Sequence, residues 1–146
     1  MIEPGEPTFR VERDEVSATF FDAARENRLL LRKCVVCGRL YPPYQLRCVD
    51  GDEFTWQPAA GRAVLRSWAV DHGRPLTPEL APPDGGPALV GMVELDEGPW
   101  MSVALVGTPP GALHEGLEMT VEFVALGGGE PVPVFAPAGA VEGELR

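Results

Sequence analysis

Residues 34–52 read CVVCGRLYPPYQLRCVDGD, and the interpretation of the whole chain turns on them. Cys34 and Cys37 are separated by two residues, and Cys48 follows after ten more. That is the opening of a zinc ribbon, in which two Cys-x-x-Cys knuckles enclose a tetrahedral metal. A second knuckle that starts at Cys48 requires a cysteine at position 51, where the sequence has Gly51. Three soft donors are therefore present, and Asp50 or Asp52 is the oxygen donor nearest the missing fourth. Three readings stand side by side. Zinc is held by Cys34, Cys37 and Cys48 with Asp50 or water; or the ribbon keeps its shape by packing alone; or the thiols are redox-active. No helix N-terminus follows Cys37 to lower a thiol pKa, which counts against the third reading.

Working outward, RLLLRKC (28–34) predicts a strand that delivers Cys34 to the knuckle, and Arg39–Tyr41 returns beside it. Gly38 permits the turn between them. Upstream, DEVSATFFDAAREN (14–27) places Val16, Phe20, Phe21 and Ala23 or Ala24 at helical spacing, with Asp14 as cap and Asn27 as stop. Residues 1–13 contain Pro4 and Pro7 and read as an extended arm. Downstream the texture changes to short apolar runs at 54–59, 63–71, 88–95, 100–106, 119–126 and 131–135, punctuated by Gly and Pro. Gly91 inside its run predicts a bulge or a tight bend. The last run, PVPVF, contains prolines that do not donate, and is expected as an edge strand. Five or so short strands with a long connector before the last pair predict a Greek-key barrel of the OB type. The expected fold is thus mainly β. It has an N-terminal arm and helix at 1–27, a zinc ribbon at 28–53, an OB fold at 54–137 and a tail at 138–146.

Composition narrows the function. The chain has 146 residues, with 22 acidic and 12 basic side chains and a formal net charge of −10. Phosphate binding runs on clustered Lys and Arg, so nucleic acid is disfavoured as the main partner. The alternative class is a single-stranded nucleic-acid module that stacks bases on Trp56, Trp68 and Trp100. The N-terminus lacks the basic and apolar regions of a signal peptide, and no apolar run is long enough to span a membrane. A cytoplasmic, reducing setting is expected, where Cys-x-x-Cys reads as metal or redox chemistry. Catalytic constellations are thin. His72 and His114 are the two histidines, Gly127-Gly128-Gly129 lacks the lysine and helix of a phosphate loop, and no G-x-S-x-G elbow occurs. The chain does not read as a complete enzyme.

The whole pattern resembles a family of small proteins with an N-terminal helix, a rubredoxin-like zinc ribbon and a C-terminal OB fold that accompany acyl-CoA enzymes. The likeness is carried by RLLLRKCVVCGRLYPPYQLRC, GRAVLRSWAV, ALVGMVELDEGPWMSVALVG, GLEMTVEFVAL and PVPVF, in that order. The resemblance implies an accessory subunit. Its partners would be thiolase-like enzymes, lipid-transfer-protein-like aldolases or MaoC-type hydratases of steroid side-chain degradation, in a heteromer built on a homodimeric partner core. It implies Zn²⁺ at the ribbon cysteines and a CoA thioester as ligand of the complex. The ribbon and helix are expected to dock on the partner. Arg66, Trp68, His72 and Arg74, with Tyr44 of the YPPY segment, are the candidate contacts to acyl-CoA or partner.

Overall fold

The computed structural model describes residues 11–72, 78–80, 82 and 87–139. Most of the expected arm and tail, most of the loop 72–87, and Arg74 with it, lie outside the described residues.

The helix α1 spans Ala18–Arg25 and is shorter than its periodicity predicts. Asp14 does not cap it. The Asp14 carboxylate accepts from the Ser17 amide (2.8 Å) and the Ser17 hydroxyl (2.7 Å), and the Asp14 amide donates back to Ser17 Oγ (2.9 Å). These reciprocal bonds have the pattern of a capping box and close a turn one step ahead of Ala18, and Val16 in that turn is 62% exposed rather than part of the apolar face. The helix ends where expected. Asn27 adopts a left-handed φ of 62°. Its amide bonds the Ala24 carbonyl and the Arg28 amide bonds the Ala23 carbonyl, both at 2.9 Å, which are the two bonds of a Schellman ending. Phe20 and Phe21 are both buried, and the Phe20 ring lies 5.9 Å from Trp56 of the ribbon.

Strands β1 (Leu30–Cys34), β2 (Leu40–Tyr41) and β3 (Phe54–Pro58) form an antiparallel sheet in the order β2-β1-β3. The segment at 54–58 therefore pairs with the ribbon strand Leu30–Cys34 and lies outside the barrel to which the sequence reading gives it. In this sheet Arg32 stands between Tyr41 on one side and Trp56 on the other.

Strands β4 (Arg62–Asp71), β5 (Ala88–Leu95), β6 (Trp100–Leu105), β7 (Glu118–Ala125) and β8 (Pro131–Pro137) close a barrel in the order β4-β5-β6-β8-β7. The connection that brings β8 back parallel to β6 is the OB Greek key. Leu65, Val93, Leu95, Met101, Leu105, Met119 and Phe135 are buried in one core with Phe20, Phe21 and Leu31 from the helix and ribbon. The pairing of β4 with β5 shifts register between Leu65 and Ser67, and Gly91 lies opposite Trp68 just beyond the shift. This is the bend that Gly91 predicts.

PVPVF is not an edge. β8 pairs with β7 along its whole length and with β6 at Val134 and Phe135. The prolines act on only one of these seams. The Val106 amide donates to the Phe135 carbonyl (3.0 Å), so the main chain of Phe135 faces β6. By strand alternation, that of Pro133 and Pro131 faces the same way. The next bond of the parallel ladder needs an N–H at position 133, and proline has none. Pairing stops at Ala104–Val134, and the β6–β8 seam opens beyond it.

Candidate functional site

The cysteine cluster is assembled by the first knuckle and a turn. β1 carries Cys34 at its end, and the Gly38 amide bonds back to the Cys34 carbonyl (2.9 Å) with Gly38 at a φ of 77°. Cys48 is positioned by a two-way main-chain bridge to Gly51, with both bonds at 3.1 Å. The second knuckle thus keeps its turn without its second sulfur. The three Sγ atoms lie within 4.8 Å of one another, and Cys37 and Cys48 are 3.6 Å apart. Cys34 and Cys48 are buried, whereas Cys37 is exposed.

The electrostatics divide the thiols. The Tyr41 hydroxyl donates to Cys48 Sγ (3.1 Å), and with an amide bond from Asp50 it lowers the Cys48 pKa to about 7. An amide bond from Arg39 favours the Cys37 thiolate. Desolvation and the hydrogen bonds shared with Cys48, Cys34 and Asp50 outweigh it and raise Cys37 to about 11. Three sulfurs at this spacing fit a thiophilic divalent cation on three sides, with Asp50 beside them. A metal held by Cys34, Cys37 and Cys48 would cross-link the two ends of the ribbon and contribute to folding, not to chemistry on a substrate.

A second feature lies between the helix, the ribbon and the barrel. It is a groove of about 440 Å³ whose walls include Phe20, Tyr44, Trp56, Met101, Val132 and Pro133. It sits where the β6–β8 seam opens. The Ser102 amide, which faces that opening, donates to the Tyr44 hydroxyl (3.1 Å). Of the predicted contacts among the described residues, Tyr44 is the one that the structure brings to this groove.

The other predicted contacts are elsewhere. Arg66 is held by two carboxylates, Glu94 (2.7 Å) and Glu115 (2.7 Å), which together offset its charge. Trp68 is 38% exposed on β4, and His72 is exposed just past the end of that strand. The tryptophans form no common stacking platform. Trp56 is packed against Phe20 in the ribbon sheet, while Trp68 and Trp100 lie on separate barrel strands.

Two residues escape sequence reasoning. Arg32 stacks its guanidinium over Phe54 (4.6 Å) and Trp56 (5.0 Å), and its Nε is buried without an acceptor. Glu130 is buried after the triple glycine, where it accepts from Arg13 (2.6 Å) and Arg25 (3.0 Å) and ties residues 11–13 and the helix to the barrel. Alternation in a two-residue neighbourhood hints at Arg32, since it interrupts the apolar run LLLRKC on a predicted strand. Nothing local marks Glu130, because its partners are distant in sequence.

A short helix, a three-stranded ribbon with clustered cysteines and a closed five-stranded OB barrel define the class. Residues 56–124 match the family model described as the ChsH2 C-terminal OB-fold domain. Over those residues, which take in most of the barrel, the chain is similar to that domain. It superimposes on the solved Ltp2-ChsH2(DUF35) aldolase structure with a TM-score of 0.70 and 28% identity, covering 88% of this chain and 99% of that one. A DUF35-family protein of unknown function from Sulfolobus solfataricus shares the fold, with a TM-score of 0.52 at 12% identity over 84% of this chain and 85% of that one. A probable enoyl-CoA hydratase alpha subunit from Thermomonospora curvata is 31% identical over 134 residues, which is 90% of this chain. The chain spans 40% of that relative's length.

Proposed function

We propose that this chain is a non-catalytic accessory subunit. It docks on a thiolase-like aldolase or a MaoC-like hydratase and helps to bind the acyl-CoA substrate of lipid or steroid side-chain metabolism. The observation that carries the reading is the end-to-end match to the Ltp2-ChsH2 structure, since 99% of the matched chain is covered. The site chemistry supports it. Among the described residues, the His114 ring bonds only the Glu115 carbonyl, and the Ser17 hydroxyl, which donates to the Asp14 carboxylate, belongs to the exposed turn before α1. The ribbon tip offers an apolar docking surface: Val35, Val36, Leu46 and Val49 are 55%, 67%, 76% and 90% exposed. The groove under Tyr44 offers a wall for an acyl chain.

Co-expression with thiolase-like and hydratase subunits tests the reading. The expected result is a heteromer by light scattering that binds acyl-CoA more tightly than the partner alone. A chain that stays monomeric beside every such enzyme, and changes no acyl-CoA affinity, overturns it.

A further inference from the structure

Arg32 is out of place as a surface charge. Arg13, Arg25, Arg28, Arg62 and Arg66 each have a carboxylate partner within 3.1 Å. Among the described residues Arg32, like the exposed Arg39 and Arg47, shows no such partner, and it differs from them in that its Nε is enclosed without an acceptor. Burial pushes its pKa down, as expected for a cation desolvated without an anion. Two rings hold the guanidinium flat, Phe54 at 4.6 Å and Trp56 at 5.0 Å. Stacking of this kind fixes the planar fork and leaves its N–H edges to meet an oxyanion. A cation pre-ordered in this way, with no acid of its own, is what an anion site looks like before its ligand arrives.

Its position selects the ligand. Trp56, the ring on which Arg32 stacks, is itself a wall of the 440 Å³ groove. On the other strand, Tyr41 faces Arg32, and Pro43 and Tyr44 continue from it into the groove wall. The groove is poor in main-chain donors: Pro133 presents no N–H to it, and the Ser102 amide is already bonded to the Tyr44 hydroxyl, which keeps its own hydrogen to donate. Its walls of Phe20, Trp56, Met101, Val132 and Pro133 are those of a site for a hydrocarbon. Arg32 is not itself a wall of the groove but shares Trp56 with it, so an anion on its guanidinium lies close to a hydrocarbon in the groove. The phosphates of CoA do not meet this condition, because the pantetheine arm separates them from the acyl chain.

We propose that the groove and Arg32 together bind a free acyl carboxylate, with its hydrocarbon body between α1 and the open β6–β8 seam and its carboxylate on the Arg32 guanidinium. The inference deepens the accessory-subunit reading and rests on it for the acyl class of the ligand. It adds a site for the free acid, the species that thioester formation consumes and thioester hydrolysis releases.

Calorimetric titration of the full chain with decanoate, methyl decanoate and decanoyl-CoA tests it. Decanoate should bind the unmodified chain, and Arg32→Gln should weaken it roughly 10- to 100-fold, the span expected for a charge-assisted hydrogen-bond pair. Arg32→Lys keeps the charge without the fork and should fall between the two. Methyl decanoate should bind the unmodified chain no better than decanoate binds Arg32→Gln. Val132→Phe should block the groove to both. Circular dichroism melts of each variant establish that it is folded. Undiminished decanoate binding by Arg32→Gln, equal affinity for acid and ester, or no decanoate binding at all overturns the proposal. If decanoyl-CoA binds where decanoate does not, the carboxylate site falls and the accessory-subunit reading stands. If Arg32→Gln breaks the enzyme complex but not decanoate binding, the proposal falls, and Arg32 belongs to an acidic residue of the partner. Decanoate binding through Arg32 by a chain that joins no enzyme supports the site while refuting the subunit.

Discussion

Gly91→Ala sets two opposed effects against each other. Gly91 lies in the middle of β5, and its φ is not left-handed. In an ordinary strand the exchange would therefore stabilise the fold by about 0.5–1 kcal/mol, chiefly by restricting the unfolded chain. Here an added Cβ would lie 2.8 Å from Leu105 Cδ1, 3.2 Å from Leu105 Cγ and 3.0 Å from the Ser67 carbonyl oxygen. Leu105 is 2% exposed inside the barrel and has little room to turn. The Ser67 oxygen is main chain at the register shift of β4 and moves only if the bulge moves. Overpacking of this kind costs about 1–3 kcal/mol and outweighs the entropic gain. The expected net loss of about 1–2 kcal/mol corresponds to a fall in Tm of roughly 3–6 °C for a domain of this size. Thermal and urea melts followed by circular dichroism give both numbers. In a Leu105→Ala background the side-chain clash is gone and only the Ser67 contact remains, so the same exchange should be less harmful by about 0.5 kcal/mol or more. A Gly91→Ala protein with an unchanged or higher Tm would show that the barrel bend does not depend on close approach at this position.

Pro133→Ala restores an N–H facing the open seam. One added ladder bond and one lost proline restriction nearly cancel, so the Tm should move by less than about 1 kcal/mol allows, while protection from amide exchange extends past Ala104 and decanoate affinity falls. A seam that stays unprotected in the variant counts against the proline argument. The Glu130 carboxyl is held below its usual pKa by hydrogen bonds from Arg13, aided by Arg25. A depressed folded pKa gives stability that is complete above the unfolded value of about 4.3 and is lost as the pH falls through the folded value. Glu130→Gln should therefore be less stable than the parent at pH 7, with the difference closing below about pH 4. A gap in Tm that is independent of pH refutes it. Cobalt(II) added to the reduced protein should give thiolate charge-transfer absorption that Cys37→Ser diminishes. Gly51→Cys supplies the fourth thiolate and should bind more tightly, by less than an unstrained closure would give. Gly51 holds a φ of 158° that a side chain rarely adopts, and the new Cβ meets a Val36 methyl at 3.2 Å. The absence of a charge-transfer band in both proteins would mark the ribbon as held by packing alone.

Most of the fold was readable because its rules are local. The Cys-x-x-Cys turn, the Asn27 stop and the Gly and Pro that punctuate the apolar runs each speak within a few residues. The errors came where a distant partner overrode a local signal. Phe54–Pro58 looks like the first strand of the barrel, yet its cross-strand partners are Leu30–Cys34. The candidate site was legible at the cysteines and at Tyr44, because spacing and an unusual YPPY segment point to them. Arg66 was chosen as a cation near the barrel face. Only the fold reveals that Glu94 and Glu115, at separations of 28 and 49 residues, already hold it. The converse holds for Arg32, which shows no such partner among the described residues and whose Nε is enclosed.

The prolines of PVPVF show how one sequence feature changes meaning with its surroundings. At an edge, Pro131 and Pro133 would only discourage a further strand from adding. Inside a closed OB barrel, the same missing N–H groups end the parallel ladder at Ala104–Val134 and leave a donor-poor opening in the wall. The ribbon then supplies what the barrel lacks, since the Tyr44 hydroxyl takes up the Ser102 amide that the ladder leaves without a strand partner. The helix closes the third side with Phe20 and Phe21. No element makes the groove alone. Folding the ribbon onto the barrel is thus a condition for the groove to exist, and the cysteine turn that shapes the ribbon acts on the groove through Tyr41, Pro43 and Tyr44. Loss of ribbon structure should accordingly abolish ligand binding in the barrel seam even though none of the three cysteines lines it.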